Sequence, residues 1–137
     1  MDITITEAPA PEALAEVRAG LNAYNAQHID IAENRAIAAF ITGPDGKKLG
    51  GLTGSTCGNW LRIDMLWVSD LLRGQGAGSK LIQAAEEEAR RRGCIYAQVD
   101  TASFQARPFY EKMGYSVRFI LDEYPRIHQR IYLTKTL

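Results

Sequence analysis

One stretch of the chain concentrates groups able to do chemistry: Arg73-Gly74-Gln75-Gly76-Ala77-Gly78-Ser79. Glycines at 74, 76 and 78 remove the Cβ atoms that would otherwise shield backbone amides. The stretch lies between an apolar segment, Trp60 to Val68, and the clearest helical pattern in the sequence. A helix beginning there presents unsatisfied N–H groups and about half a positive charge. Together these features describe a site for a phosphate or pyrophosphate, to which Arg73 can add a charge-assisted contact. The same residues also read as a flexible strand-to-helix turn, and spacing alone leaves both readings open.

Two familiar nucleotide loops fit poorly. A Walker A loop needs Gly-Lys followed by Ser or Thr, whereas the order here is Gly78-Ser79-Lys80. A dinucleotide fingerprint needs a third glycine where Ser79 stands. Asp100 does end the next apolar segment, where a ribose-binding acid would sit. The context fails, however, because the loop follows an antiparallel meander and the chain holds a single βαβ unit. Other chemistries lack support. Cys57 and Cys94 have no CxxC spacing, His28 and His128 lie far apart, and no GxSxG elbow occurs. No metal is expected.

The elements that must position the loop can be read coarsely. Ile3-Thr4-Ile5-Thr6 alternates and predicts a short half-buried strand. Pro11 suits the first turn of a helix on which Leu14, Val17, Leu21 and Tyr24 form one apolar stripe ending near His28. Ala36–Thr42, Leu49–Cys57 and Trp60–Val68 predict three antiparallel strands, joined at Gly43-Pro44-Asp45-Gly46 and Gly58-Asn59. A helix over about 76–92 turns Leu81, Ile82, Ala85 and Ala89 inward. Glu86, Glu87 and Glu88, each four residues before Arg90, Arg91 and Arg92, read as its solvated face. Cys94–Asp100 should return parallel to Trp60–Val68 through a right-handed crossover. A second helix, Phe104–Met113, and closing strands Tyr115–Leu121 and His128–Leu133 complete the chain. The fold class is α+β: a mixed, mostly antiparallel sheet of six to seven strands with one central βαβ unit, as a single domain over residues 1–137.

Leu66-Trp67-Val68 followed by Arg73-Gly74-Gln75-Gly76-Ala77-Gly78 resembles the coenzyme-A loop of the GNAT acetyltransferase superfamily. Thirty residues on, Ser103-Phe104-Gln105-Ala106-Arg107-Pro108-Phe109-Tyr110-Glu111-Lys112-Met113-Gly114-Tyr115 is similar to the family's Asn-x-x-Ala-x-x-x-Tyr-Glu-Lys-x-Gly-Phe segment. The resemblance covers nearly the whole chain and implies helices on both faces of the sheet. It implies acetyl-CoA as co-substrate, its pyrophosphate on the backbone amides of Arg73 to Ser79. The pantetheine arm would run beside Leu66, Trp67 and Val68 in a gap between the strands ending at Val68 and Asp100, opened by a bulge near Met65–Trp67. Tyr110 aligns with the tyrosine the family commonly uses as general acid toward the departing thiolate, and it also reads as a half-buried tyrosine packing the second helix under the sheet. Ser103 stands where many relatives have Asn and could still bond to the pantetheine. Phe109 and Tyr115 read as core.

The implied reaction is N-acetylation of a small-molecule primary amine; a non-catalytic acyl-CoA sensor on the same scaffold is the alternative. The amine must lose a proton, and Asp64 is the best-placed carboxylate because it shares strand parity with Leu66 and Val68; it also reads as an exposed strand residue paired to Arg62, two positions away. Glu33 and Glu123 are weaker candidates. Tyr24, Asn25, His28, Trp60, Trp67 and Tyr124 are expected around the acceptor. The balance of 16 Lys and Arg against 16 Asp and Glu argues against a strongly basic nucleic-acid domain. The longest apolar run, Ala36–Ile41, is six residues, far below the ~20 that span a bilayer. With no apolar segment following Met1-Asp2, a cytoplasmic enzyme without nucleic-acid or membrane partners is expected. Homodimers are common among members of the family.

Overall fold

The computed structural model describes every residue, Met1–Leu137. The elements are α1 (Pro11–Asn25), β1 (Arg35–Thr42), β2 (Lys48–Cys57), β3 (Trp60–Val68), α2 (Ala77–Arg91), β4 (Tyr96–Ala102), α3 (Arg107–Lys112), β5 (Ser116–Leu121) and β6 (Arg130–Thr136). Single 3-10 turns occupy Ile31–Glu33 and Asp70–Leu72. Two compact units result, Met1–Glu33 and Asn34–Leu137. No helix is long and apolar enough to cross a membrane.

In the first unit, Pro11 opens α1 as expected, and no residue of the helix is buried. The strand expected at Ile3–Thr6 is absent. Alternation supplies a strand with two faces but not a neighbour, and none of the six paired strands takes up this segment. The sheet therefore has six strands, not seven.

The second unit holds one mixed sheet in the order β1-β2-β3-β4-β6-β5. β3 and β4 are its parallel pair, joined across α2; every other neighbour is antiparallel. The first hairpin closes where the sequence puts Pro44 and Gly46. Gly46 takes φ +84°, and Asp45 Oδ1 accepts the Lys47 N–H at 3.0 Å. β4 begins two residues later than expected because Gly93, at φ +92°, ends α2, and the Cys94 N–H returns to the Ala89 carbonyl. α3 is shorter than expected because Gln105 is drawn into the preceding turn, its Oε1 accepting the Ala102 N–H at 2.9 Å.

The core is one cluster between the sheet and α2, with Tyr110 of α3 and Tyr115. Leu81, Ile82, Ala85 and Ala89 of α2 face Ile37, Leu52, Leu61, Ile63, Ala97, Val99, Ile131 and Leu133 of the strands. Within this unit both helices thus lie on one face. The opposite face leaves Phe40, Met65, Trp67 and Phe119 exposed.

The charge run on α2 departs from a solvated face at two residues. Glu86 lies four positions after Ile82, on the buried stripe, and is 2% exposed. It accepts the Tyr115 hydroxyl at 2.8 Å and the Lys135 ammonium at 3.0 Å, which satisfies the buried carboxylate. Arg92 folds over the sheet, donating to the Ala36 carbonyl and to Thr56 Oγ1. Only Glu88 keeps helix-face ion pairs, with Arg91 and Arg92.

Burial, and then the Glu86 charge, push the Tyr115 phenol far above the usual tyrosine range. An unfolded chain ionises its tyrosines near pH 10, so above about that pH it binds fewer protons than the folded one. The contribution of Tyr115 to stability is therefore expected to be constant up to about pH 10 and to be lost progressively beyond it. Tyr115→Phe should soften that fall while lowering stability at neutral pH by about 1–3 kcal/mol, since Glu86 loses a donor. Urea unfolding between neutral and alkaline pH measures both effects.

Candidate active site

β3 and β4 are paired only from Trp60↔Tyr96 to Ile63↔Val99. Beyond that point β3 continues to Val68 and β4 to Ala102 without pairing to each other. A bulge produces the divergence. Against β2, Thr53 opposes Met65 and Gly54 opposes Ile63, so Asp64 is the surplus residue. Gly54 makes the bulge sterically feasible, since a Cβ there would overlap the Arg62 carbonyl oxygen. The expected gap is present, and its bulge lies just before the segment in which it was anticipated.

The bulge also corrects an inference about Asp64. Counting by twos puts Asp64 with Leu66 and Val68. The surplus residue resets the alternation, so Asp64 lies on the open face with Met65 and Trp67, whereas Leu66 and Val68 pack toward the core.

At the end of β3 the chain makes the 3-10 turn, in which Ser69 Oγ accepts the Leu71 N–H, and then enters the glycine loop. Gly74 and Gly76 take φ +76° and +67°, conformations that L side chains resist. Gly76 is the N-cap of α2 and has no side chain to cap with. The first helical bond runs from the Lys80 N–H to the Gly76 carbonyl. The N–H groups of Ala77, Gly78 and Ser79 therefore have no partner within α2. Gly78 makes room for a neighbour, since a Cβ there would crowd the Phe109 ring at 3.3 Å.

These amides border a cavity of about 410 Å³ lined by Leu66, Val68, Leu72, Arg73, Gly74, Gly76, Ala77, Gly78, Ser79, Ala106 and Phe109. Most of the loop residues named from sequence meet here. Gln75 and Trp67 do not line it, and Trp67 points to the other face. Arg73 is at the rim, its guanidinium 2.8 Å from Asp70 in an exposed pair that an incoming anion can outbid at little cost. Phe109, read as core, is also cavity wall.

Tyr110 is 5% exposed and touches Phe109 and Tyr115 edge-on, with ring centroids 5.2 and 5.9 Å away. Burial first, and the negative charge of Asp100 second, push its phenol above the ordinary range. Asp100 lies on β4 just past the last paired residue, Val99, and Tyr110 is not among the residues that line the cavity. Ser103 clips the β5–β6 loop: its N–H donates to the Gln129 carbonyl at 2.8 Å, and its Oγ accepts the Gln129 N–H at 3.0 Å. Its hydroxyl hydrogen stays free to donate.

On the open face a second cavity, of about 440 Å³, is lined by Ser55, Arg62, Asp64, Asp100 and Arg130. Arg130 donates from Nε and Nη2 to the same Asp100 oxygen, at 2.7 and 2.6 Å. Arg62 Nε stands 3.2 Å from Asp64. Tyr124 lies beside this cavity, with the Arg130 guanidinium 5.9 Å from its ring centre. Trp60 does not reach it: it stacks on Tyr96 where β3 and β4 are still paired. Glu123 is exposed on the same loop as Tyr124, at φ +53°. Tyr24, Asn25, His28 and Glu33 belong to the first unit, where the Tyr24 and His28 rings are 5.3 Å apart. Sequence reading anticipates the Arg62–Asp64 ion pair from its i, i+2 spacing, but it does not name Ser55, Arg62 or Arg130 for this cavity, and Arg130 joins Asp100 only through the β4–β6 register.

Comparison with known proteins is consistent throughout. The family model described as Acetyltransferase (GNAT) family matches residues 4–115. An acetyltransferase of Agrobacterium fabrum, Atu2258, is 36% identical over 116 residues, covering 85% of each chain. A blasticidin-S acetyltransferase of Streptomyces morookaense is 44% identical over 89 residues, 64% of this chain and 65% of that protein. A solved Agrobacterium tumefaciens structure, ascribed to an acetyltransferase, superposes with a TM-score of 0.90 at 33% identity over 100% of both chains.

Two substitutions test this geometry. Gly54→Ala should destabilise the protein by about 1–3 kcal/mol through overpacking against the bulge, read as a lower urea midpoint. Gly76→Asn tolerates the left-handed backbone, whereas Gly76→Asp adds a negative charge at the helix N-terminus. Calorimetric titration with coenzyme A should show the Asp variant binding at least about tenfold more weakly than the Asn variant. Equal affinities would remove the loop from the binding site.

Proposed function

The chain belongs to the GNAT acetyltransferase family, and on that premise we propose that it moves an acetyl group from acetyl-CoA directly onto a primary amine of a small molecule. The observation that carries this reading is the open edge of β3. Asp64–Val68 has β2 on one side and no strand on the other, and the loop that follows leads to the free amides of α2. A pantetheine arm laid along that edge completes the sheet as an added strand would. The diphosphate then meets the N–H groups of Ala77, Gly78 and Ser79, and the arm lies against Leu66, Val68, Ala106 and Phe109.

This placement puts the thioester where the strands part. The amine's lone pair attacks the carbonyl carbon, a C–N bond forms, and the C–S bond breaks. The departing sulfur takes the proton of Tyr110 Oη, which solvent later replaces. Because burial and Asp100 hold that phenol protonated, it is a loaded acid at neutral pH. The surplus proton on nitrogen leaves toward the open face, where Asp64 and Asp100 border the polar cavity. No covalent enzyme intermediate is required. A cavity of about 440 Å³ suits a small acceptor, and one relative is a blasticidin-S acetyltransferase.

Tyr110→Phe is expected to lower kcat by about 10²-fold, with a much smaller change in KM for acetyl-CoA. In the unaltered enzyme the alkaline fall in kcat should lie above about pH 10, because an acid with a raised pKa keeps its proton longer. Thiol release followed against pH for both proteins checks the assignment. A variant as fast as the parent at every pH would take the acid role from Tyr110.

A further inference from the structure

We infer that the acceptor is a zwitterion, a small molecule carrying a carboxylate beside the amine that is acetylated, and that Arg62 binds that carboxylate. The inference rests on the acetyltransferase reading above and extends it to the chemical class of the acceptor.

Charges of both signs surround the polar cavity. It has two carboxylates, Asp64 and Asp100, and two guanidiniums, Arg62 and Arg130, so it is formally neutral. A purely cationic amine would gain from the acids but bring a third positive charge beside two arginines. A purely anionic molecule would meet the reverse problem. A ligand with one group of each sign satisfies both halves at once and leaves no charge without a partner.

The two arginines are not equivalent. Arg130 is committed: two of its nitrogens hold one Asp100 oxygen, its side chain is 30% exposed, and Tyr124 lies over it. Arg62 is available. Its side chain is 63% exposed, and its ion pair uses the inner Nε, at 3.2 Å from Asp64. The two terminal nitrogens remain as a fork of the shape a carboxylate accepts bidentately. Drawing Arg62 onto a ligand carboxylate also loosens its hold on Asp64. Asp64 sits at the bulge, at the mouth of the gap, and becomes free to receive the ammonium and its proton.

The test uses the full chain and matched acceptors: glycine, β-alanine, 4-aminobutyrate, 6-aminohexanoate and L-lysine, each beside its methyl ester. Acetyl-CoA-dependent thiol release is expected to favour at least one free acid over its ester by tenfold or more in kcat/KM. Arg62→Gln should cut that ratio at least tenfold, mainly by raising KM for the acid. Arg62→Lys, which keeps the charge without the fork, should restore only part of it. Esters turned over as well as acids, no acid acetylated, or a ratio indifferent to Arg62→Gln would overturn the inference. Calorimetry with acetyl-CoA separates the two levels. Binding without carboxylate preference refutes the zwitterion alone, and absence of binding refutes the acetyltransferase reading with it.

Discussion

The site exists because β3 carries one residue more than β2 can pair with. The surplus Asp64, unpaired between the Thr53–Met65 and Gly54–Ile63 pairs, bends β3 away from β4 just after the last parallel pair, Ile63 with Val99. Without that bend the parallel ladder would continue toward Val68 and close the edge on which the pantetheine arm is proposed to lie. An unpaired strand edge is ordinarily a liability, since its free N–H and C=O groups recruit other strands. Here the edge is internal and short, with the N-terminus of α2 and the Phe109 ring lining the same cavity as Leu66 and Val68. Those surroundings suit a single extended ligand better than another protein strand.

Rigidity has to come from elsewhere, because a sheet split down its middle loses part of its own ladder. α2 supplies much of it, resting on β1, β2 and β3. The Glu86, Tyr115 and Lys135 network ties α2 to β6 on the far side of the split, through hydrogen bonds of 2.8 and 3.0 Å. A buried carboxylate is costly unless its partners are fixed, so the network stays together or fails together. Arg92 plays the corresponding part near the first strands, bonding the Ala36 carbonyl and Thr56.

Much of this was legible in the sequence, and what was missed has a common cause. Six strands, three helices, the parallel crossover and the loop from Arg73 to Ser79 all follow from local signals: alternation, a 3.6-residue stripe, and Pro and Gly at turns. Errors arose where a property belongs to a pair of segments. Ile3–Thr6 has a strand's pattern but no partner. Asp64 has the parity of Leu66 only if no residue is surplus, and surplus is defined against Gly54 of another strand. Glu86 sits in a run of charges yet falls on the buried stripe, and its acceptability depends on Tyr115 and Lys135, 29 and 49 residues away. Arg130 meets Asp100 through register alone.

The two cavities on either side of the split divide the chemistry by polarity. The helix side is walled by Leu66, Val68, Ala106 and Phe109, and its polar groups are backbone amides. Fixed dipoles of this kind hold an anion without contributing a titratable group, so their grip on a diphosphate should not vary with pH as a histidine's would. The open side is built from two acidic and two basic side chains and a serine. Charged side chains can exchange partners and pass protons, which the attacking amine requires. Asp100 is the point of contact, paired to Arg130 on the open side while its charge helps keep Tyr110 protonated.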